Sequence, residues 1–313
     1  MNQSALDPHG PVARTILDLG WVLFSVTVVV YVLVLAGLAW ALLRQRRESD
    51  RTPAADRRFT SIVAALTGVT TLTLVGLVAV SEVSGRALAV PHAIRPVAVD
   101  VVGHQWWWEF RYRDENDPSK LVTSPNELHI PVGVPIVMRA MSQDVIHSFW
   151  VPNLTGKRDL IPGQVTTTWM QADTAGIYRG QCAEFCGPSH AKMAFLVVAE
   201  PVDKFQSWIQ HQREPAGVPT TAPAAQGRDL FLSRQCTLCH AIQGTPAGAR
   251  LGPDLTHVGS RMTIAAGTLA NERDPLDAWV ENAPSIKPGV RMPPHMLESS
   301  EREAVVAYLR SLQ

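Results

Sequence analysis

Two long stretches without a single charged residue stand near the start of the chain. Residues 19–43, LGWVLFSVTVVVYVLVLAGLAWALL, form the first. The run exceeds the roughly 20 residues needed to cross about 30 Å of hydrocarbon. It is also too long for the apolar segment of a signal peptide, so it is expected to remain as a membrane span. Residues 62–80, IVAALTGVTTLTLVGLVAV, form the second. Thr and Gly interrupt it, which suits packing against other transmembrane helices; a buried helix of a soluble domain is the alternative. Between the runs stand Arg44, Arg46, Arg47, Arg51, Arg57 and Arg58 against Glu48, Asp50 and Asp56. Basic connectors stay in the cytoplasm. The pattern therefore predicts a two-helix transmembrane hairpin over residues 14–83. A short external tail, residues 1–13, precedes it. Both termini lie outside the cytoplasmic (inner) membrane of a bacterium, on the periplasmic side.

From residue 84 to 212 the pattern changes to short β-branched or apolar runs divided by Gly, Pro and Asn. VAVDVV from Val97, LHI from Leu128, PIVMRA from Pro135, TTTWM from Thr166 and AFLVVA from Ala194 are the clearest. That spacing predicts an all-β sandwich or barrel, closed by a helix over 202–212. Residues 213–226, with the run EPAGVPTTAPAAQ, read as a semi-extended Pro/Ala-rich linker. From 227 to 313 the pattern is helical, with helices expected at 228–234, 275–282 and 299–312. The last carries an acidic first turn. The fold class is multi-domain: a transmembrane hairpin, an all-β domain and a small all-α domain.

The formal net charge is zero, so no basic field argues for nucleic acid. The cysteines change the picture most. There are four, and two short motifs use them all. In GQCAEFCGPSHAKM, Cys182, Cys186, His190 and Met193 bring two thiolates, an imidazole and a thioether into twelve residues. Soft donors of this kind suit copper in electron transfer; a Cys182–Cys186 disulfide is the alternative. Upstream, DVIHSFWVPNL offers His147 as a second imidazole. In CTLCH, Cys236, Cys239 and His240 make the C-x-x-C-H pattern of covalent c-type haem attachment. A zinc site from these three with His257 is the alternative. The external location implied by the arginine connector is where such haem is attached.

GHQWWWEF, DVIHSFWVP, IPGQ and GQCAEFCGPSHAKM occur in that order. Together they resemble subunit II of the haem–copper oxidases, across roughly residues 15–212. The resemblance implies a cupredoxin domain with a dinuclear copper centre (CuA). In it, Cys182 and Cys186 bridge both coppers and His147 and His190 each ligate one. Met193 is a weak ligand to one copper, and the backbone carbonyl of Glu184 serves the other. The Glu184 side chain is implied to reach a magnesium ion at the boundary with subunit I. Trp106, in the Trp106–Trp108 run, is implied as the residue where electrons enter the copper centre. Trp108 reads as packing, and Asp144 and Asp159 as local loop acids. His92, His104 and His129 read as non-ligands. One departure stands out. Many chains of this family carry a glutamate near the start of the second span that opens a proton pathway, and here ADRRFTSIVAAL supplies only Asp56.

The last 87 residues suit one small cytochrome c domain. Thioether bonds from Cys236 and Cys239 hold the haem there, and His240 is the proximal ligand. Met262, Met292 and Met296 are candidates for the distal position. PGVRMPPHML places Met292 some fifty residues after His240 and before the last helix, which resembles the class I cytochrome c pattern. Met/His ligation raises the potential. The domain holds nine Arg plus Lys and nine Asp plus Glu. It therefore shows no net charge for steering, and docking between the two metal domains is expected to rest on an apolar or aromatic patch centred on Trp106.

The implied function is subunit II of a caa-type cytochrome c oxidase. Electrons pass from an external donor, such as a cytochrome c or a quinol–cytochrome c reductase, through covalently bound haem c and CuA to the haems of subunit I. Oxygen reduction there is coupled to proton translocation, and subunit III is a further expected partner. The rival reading is the corresponding subunit of a CuA-containing nitric oxide reductase. A quinol oxidase subunit fits poorly, because that branch lacks the copper ligands present here. A free-standing copper chaperone or sensor has no use for the haem domain.

Overall fold

A computed structural model describes residues 3–44, 53–90, 96–114, 117, 121–294 and 297–313. The chain forms two bodies, Arg14–Ala89 and the rest. The first consists of α1 (Pro11–Leu43) and α2 (Pro53–Ala87). Both are long and apolar enough to cross a membrane, and side chains such as Leu33, Val34, Leu72 and Val78 point outward, exposed. Each begins on a proline, whose missing N–H costs nothing in the first turn. The threonines of α2 do not break it. Thr70, Thr71 and Thr73 donate their hydroxyls to the carbonyls of Leu66, Thr67 and Val69, one turn back, at 2.9 Å. Such internal bonding is what a polar side chain needs in an apolar helix.

The expected tail at residues 1–13 is partly structured. His9 N–H donates to the Asn153 carbonyl at 2.7 Å, and Asp173 N–H donates to the His9 carbonyl at 2.8 Å. Val12 and Ala13 are buried. The tail thus belongs to the β-rich body, a long-range pairing that a local hydropathy pattern does not encode.

Among the described residues, ten strands form a two-sheet sandwich: β1 (Val97–His104), β2 (Trp107–Tyr112), β3 (Val122–Pro125), β4 (Glu127–Pro131), β5 (Ile136–Ser142), β6 (His147–Trp150), β7 (Arg158–Leu160), β8 (Thr166–Met170), β9 (Gly176–Cys182) and β10 (Ala194–Glu200). One sheet runs β3-β2-β1-β5-β8 and the other β4-β10-β9-β6-β7. β5 alternates strictly between buried and half-buried residues, as a strand with one face on the core must. Trp108, Phe110, Phe149 and Phe195 fill the space between the sheets with edge and stacked contacts. The runs at Val97, Leu128, Pro135, Thr166 and Ala194 are strands as expected; β2, β3, β6, β7 and β9 lie in segments that the hydropathy pattern leaves unmarked. α3 (Val202–His211) closes the sandwich through Phe205 and Trp208, which pack beside Tyr112.

The helical domain has α4 (Ala222–Ser233), α5 (Arg273–Ile286) and α6 (Ser299–Ser311). α4 starts at Ala222, inside the segment that the sequence reads as linker, because Thr221 precedes it and Pro223 sits in its first turn. The remaining linker lies along the domain: Ala216 N–H donates to the Gln243 carbonyl at 3.0 Å. The first turn of α6 is closed by a capping box between Glu298 and Glu301. Gly227 lets α4 approach α6, since a Cβ there would run into the Ala304 carbonyl. Phe231, Val280, Tyr308 and Leu309 lead a second core.

Candidate metal and haem sites

His147 opens β6, Cys182 ends β9, and residues 183–193 loop from there into β10. Phe149 and Cys182 are register partners on β6 and β9, which brings a histidine and a cysteine far apart in sequence onto one sheet end. The loop folds on itself: His190 N–H donates to the Gly187 carbonyl at 3.0 Å, and Cys182 N–H to the Met193 carbonyl at 2.9 Å. The five side chains then converge. Cys182 Sγ lies 3.7 Å from Cys186 Sγ and 3.9 Å from His147 Nδ1. Cys186 Sγ lies 3.6 Å from His190 Nδ1 and 3.8 Å from Met193 Sδ. The Glu184 carbonyl is 3.2 Å from Cys182 Sγ, so the backbone at that position also faces the cluster. Both cysteines, His147 and Met193 are buried. The sulfurs are free thiols, well beyond the roughly 2.05 Å of a disulfide.

The electrostatics of this pocket ask for a cation. The contact with Cys186 Sγ lowers the Cys182 thiol pKa strongly; burial opposes it, and His147 and backbone groups add to the lowering. Cys186, beside that sulfur and buried, is pushed the other way. A second thiolate is stabilised only when positive charge enters between the sulfurs. Soft sulfur donors with two imidazoles and a thioether fit copper. His147 Nε2 donates to Asp144 Oδ1 at 2.8 Å, which orients the ring so that Nδ1 faces the sulfurs. Burial works to lower the His147 pKa, but the hydrogen bonds to Asp144 and Cys182 outweigh it and hold it above its usual value. Gly103 leaves room for this ring, since a Cβ there would stand 2.8 Å from His147 Cδ2.

Asp144 does more than the loop acid that the sequence suggests. Besides orienting His147, it accepts the Gln105 N–H through Oδ2 at 2.7 Å. That fixes the turn between β1 and β2 where Trp106 stands. Trp106 Nε1 donates to the Cys186 carbonyl at 2.9 Å, and its ring lies against Gly187. The other histidines of the sandwich are otherwise engaged. His104 bonds Glu109 and stacks on Trp107. His129 sits between Glu127 and Glu200 and stacks on Trp208. His92 lies outside the described residues.

On the helical domain, a short turn carries Cys236 and Cys239 to the mouth of a cavity of about 440 Å³. His240 Nδ1 donates to the Pro253 carbonyl at 2.8 Å, which leaves the lone pair on Nε2. Gly252 makes this approach possible, because a Cβ there would stand 2.7 Å from His240 Cε1. Apolar side chains of Leu255, Ile264, Leu276 and Val280 line the cavity, and Met292 lies on its wall. Met262 does not line it; its side chain is 38% exposed. Met296 lies outside the described residues. His257 rests its ring nitrogens on the carbonyls of Gln313 and Glu214, which removes it from any zinc set with the C-x-x-C-H motif. A cavity lined by two thiols, an imidazole, a thioether and aliphatic side chains fits a covalently held haem.

The two sites meet at Trp106. The cavity wall includes His104, Gln105, Trp106 and Trp107 of the β domain beside Cys236, His240 and Met292 of the helical one. The contact holds polar ties beside the Trp106 ring. Lys287, just past α5, is buried and donates from Nζ to the Trp106 carbonyl at 2.6 Å and the Ala265 carbonyl at 2.9 Å. Burial pushes its ammonium down to about 7, against the pull of Cys186. Glu127 accepts the Met262 N–H at 2.6 Å, and Ala194 N–H donates to the Ala266 carbonyl at 3.0 Å. Net charge hides such paired polar contacts, since they are set by position and not by composition.

A β sandwich with a buried thiolate–imidazole–thioether cluster, joined to a helical domain with a C-x-x-C-H cavity and preceded by two apolar helices, defines a membrane-anchored cupredoxin with a fused cytochrome c. Comparison with known proteins agrees. Residues 117–200 match the family described as Cytochrome C oxidase subunit II, periplasmic domain, and residues 224–313 match Cytochrome c. Cytochrome c oxidase subunit 2 of Alkalihalophilus pseudofirmus is 37% identical over 322 residues, covering 100% of this chain and 91% of that protein. The subunit of the same name from Bacillus sp. strain PS3 is 33% identical over 229 residues, 69% of this chain and 62% of that one. Among solved structures, the periplasmic domain of subunit II of cytochrome oxidase from Bradyrhizobium japonicum is 29% identical, with a TM-score of 0.37, covering 40% of this chain and 97% of its own. The chain belongs to the cytochrome c oxidase subunit II family, in the form that carries a C-terminal cytochrome c domain, and is thus a subunit of a haem–copper oxidoreductase complex.

Proposed function

We propose that this subunit relays electrons from an external donor to the oxygen-reducing subunit of a caa-type oxidase. Cys182 and Cys186 would bridge a dinuclear copper centre, with His147, His190, Met193 and the Glu184 carbonyl completing its ligands. Cys236, Cys239, His240 and Met292 would hold haem c. When bound, these groups would supply one-electron chemistry. The chain's own residues set the route. Trp106 lies on the wall of the haem cavity and bonds the carbonyl of Cys186, 2.9 Å away; this is the observation that carries the reading. Asp144 holds both this turn and His147, so the route and the copper ligand share one anchor.

The connector arginines support a periplasmic side for the metal domains. The exposed Glu184 and Phe185 would face subunit I, where the Glu184 carboxylate would be free to meet magnesium. Subunits I and III and a cytochrome c or quinol–cytochrome c reductase are the proposed partners. Proton translocation would accompany oxygen reduction in subunit I. The test is the visible and near-infrared spectrum of the purified complex with a parallel oxygen-uptake assay. Signals of haem c, CuA and haem a together, with oxygen consumed, are expected. Absence of the copper bands would overturn the reading, and turnover of nitric oxide in place of oxygen would move the subunit to the reductase branch.

Met292→Ala is expected to leave the haem covalently bound but to remove its thioether ligand. The sulfur-to-iron charge-transfer band at the red edge should vanish and the potential fall. Met262→Ala should change neither, since Met262 lies off the cavity wall. The reverse pattern would transfer the ligand role to Met262.

A further inference from the structure

Lys287 occupies a costly position. Its side chain is 2% exposed, and among the described residues no carboxylate lies within ion-pair distance of it. A buried ammonium held only by neutral acceptors is unfavourable unless its hydrogen bonds are placed well. Here one acceptor is the Ala265 carbonyl of its own domain and the other is the Trp106 carbonyl of the copper domain. The lysine therefore ties the two domains at the residue where both sites meet.

The chain that follows continues the tie. The Pro288 carbonyl accepts the Ser189 hydroxyl at 2.6 Å. Gly289, at φ +89°, passes over the Trp106 ring so closely that a Cβ would stand 2.7 Å from Cη2. Only glycine combines that φ with that approach. Val290 packs on the core of the sandwich, and two residues later Met292 lines the haem cavity. As a result Trp106 is only 6% exposed. Its ring has Gly187 of the copper loop beside it and Gly289 of the haem loop against it.

We propose that Lys287 is a positioning residue: with Gly289 it latches the Met292-bearing loop over Trp106, which keeps haem c next to the copper centre and closes that surface to external electron donors. In the latched form an outside donor reduces haem c alone, and the copper centre is filled only from within the chain. This rests on the relay proposed above.

The test uses the purified holo-oxidase and a diffusing ruthenium bipyridyl photoreductant. In the parent, the copper centre should be reduced only after haem c, at a rate independent of photoreductant concentration. In Lys287→Met the internal step should slow by about tenfold or more, as misplacement of reacting partners does. A concentration-dependent phase of direct copper reduction should also appear. Optical spectra and midpoint potentials of both centres should remain as in the parent, which a general loss of structure would not allow. Gly289→Ala keeps the lysine but forces the loop off the ring, so it should give the same two signatures; it decides the matter if Lys287→Met fails to bind haem. An unchanged internal rate without a direct phase in these variants would overturn the latch. Trp106→Ala separates this from the relay itself: if that change leaves the parent rate untouched, the route through Trp106 fails, while opening of the surface by Lys287→Met would still stand.

Discussion

Trp106→Ala is expected to slow electron transfer from haem c to the copper centre by about a hundredfold, the order of loss that accompanies a displaced reacting group. The ring is nearly fully buried. Its indole N–H holds the Cys186 carbonyl, its backbone carbonyl holds Lys287, and Gly289 packs against its six-membered ring. Truncation removes the aromatic bridge and opens a void. Deleting a buried Trp side chain costs roughly 3–5 kcal/mol, so the sandwich should remain folded but loosen locally. Flash-induced kinetics on the purified complex measure the step. Haem c and copper absorption should persist, because no metal-binding side chain changes. A wild-type transfer rate in this variant would mean that electrons reach the copper centre by another path.

Cys182→Ser should abolish the dinuclear copper signal completely while haem c stays attached. Cys182 is the hub of the cluster, within 3.9 Å of Cys186 Sγ, His147 Nδ1 and the Glu184 carbonyl. A serine hydroxyl is a hard donor with no tendency to ionise, and it cannot bridge soft metals. Cys186→Ser should act alike, since Cys186 Sγ faces both His190 Nδ1 and Met193 Sδ. The haem motif lies on separate helices around a separate core, so its covalent attachment is independent. Metal analysis of the purified complex is the measurement. Full copper loading in either variant would sink the ligand assignment.

Much of this architecture can be read along the chain because each part carries a strong local signal. Charge-free runs of helix-spanning length mark α1 and α2, alternation marks β5, and C-x-x-C-H marks the haem turn. The copper loop is legible too, since Cys182, Cys186, His190 and Met193 all come from one short segment. Half of the strands are not. β6 and β9 bear the candidate ligands His147 and Cys182, but one is four residues long and the other carries Gly176 and Gly180; site geometry, not hydropathy, shapes their sequences. The start of α4 also escapes notice, because its first turn contains the residues that make a linker look extended.

Residue identity and short-range spacing by themselves determined the fold class, the two apolar helices and the family, for these depend on which donors lie a few positions apart and on hydropathy summed over a window. Only the tertiary structure decided which groups serve those sites from afar. Asp144 reaches His147 and the Trp106 turn, Met292 and not Met262 lines the cavity, and residues 4–13 pair with the sandwich. Lys287 finds Trp106 across 181 positions. Such contacts arise from the register of strands and the docking of one domain on another. A lysine in a charge-neutral domain reads as solvated surface until packing removes its water and leaves two carbonyls as its partners.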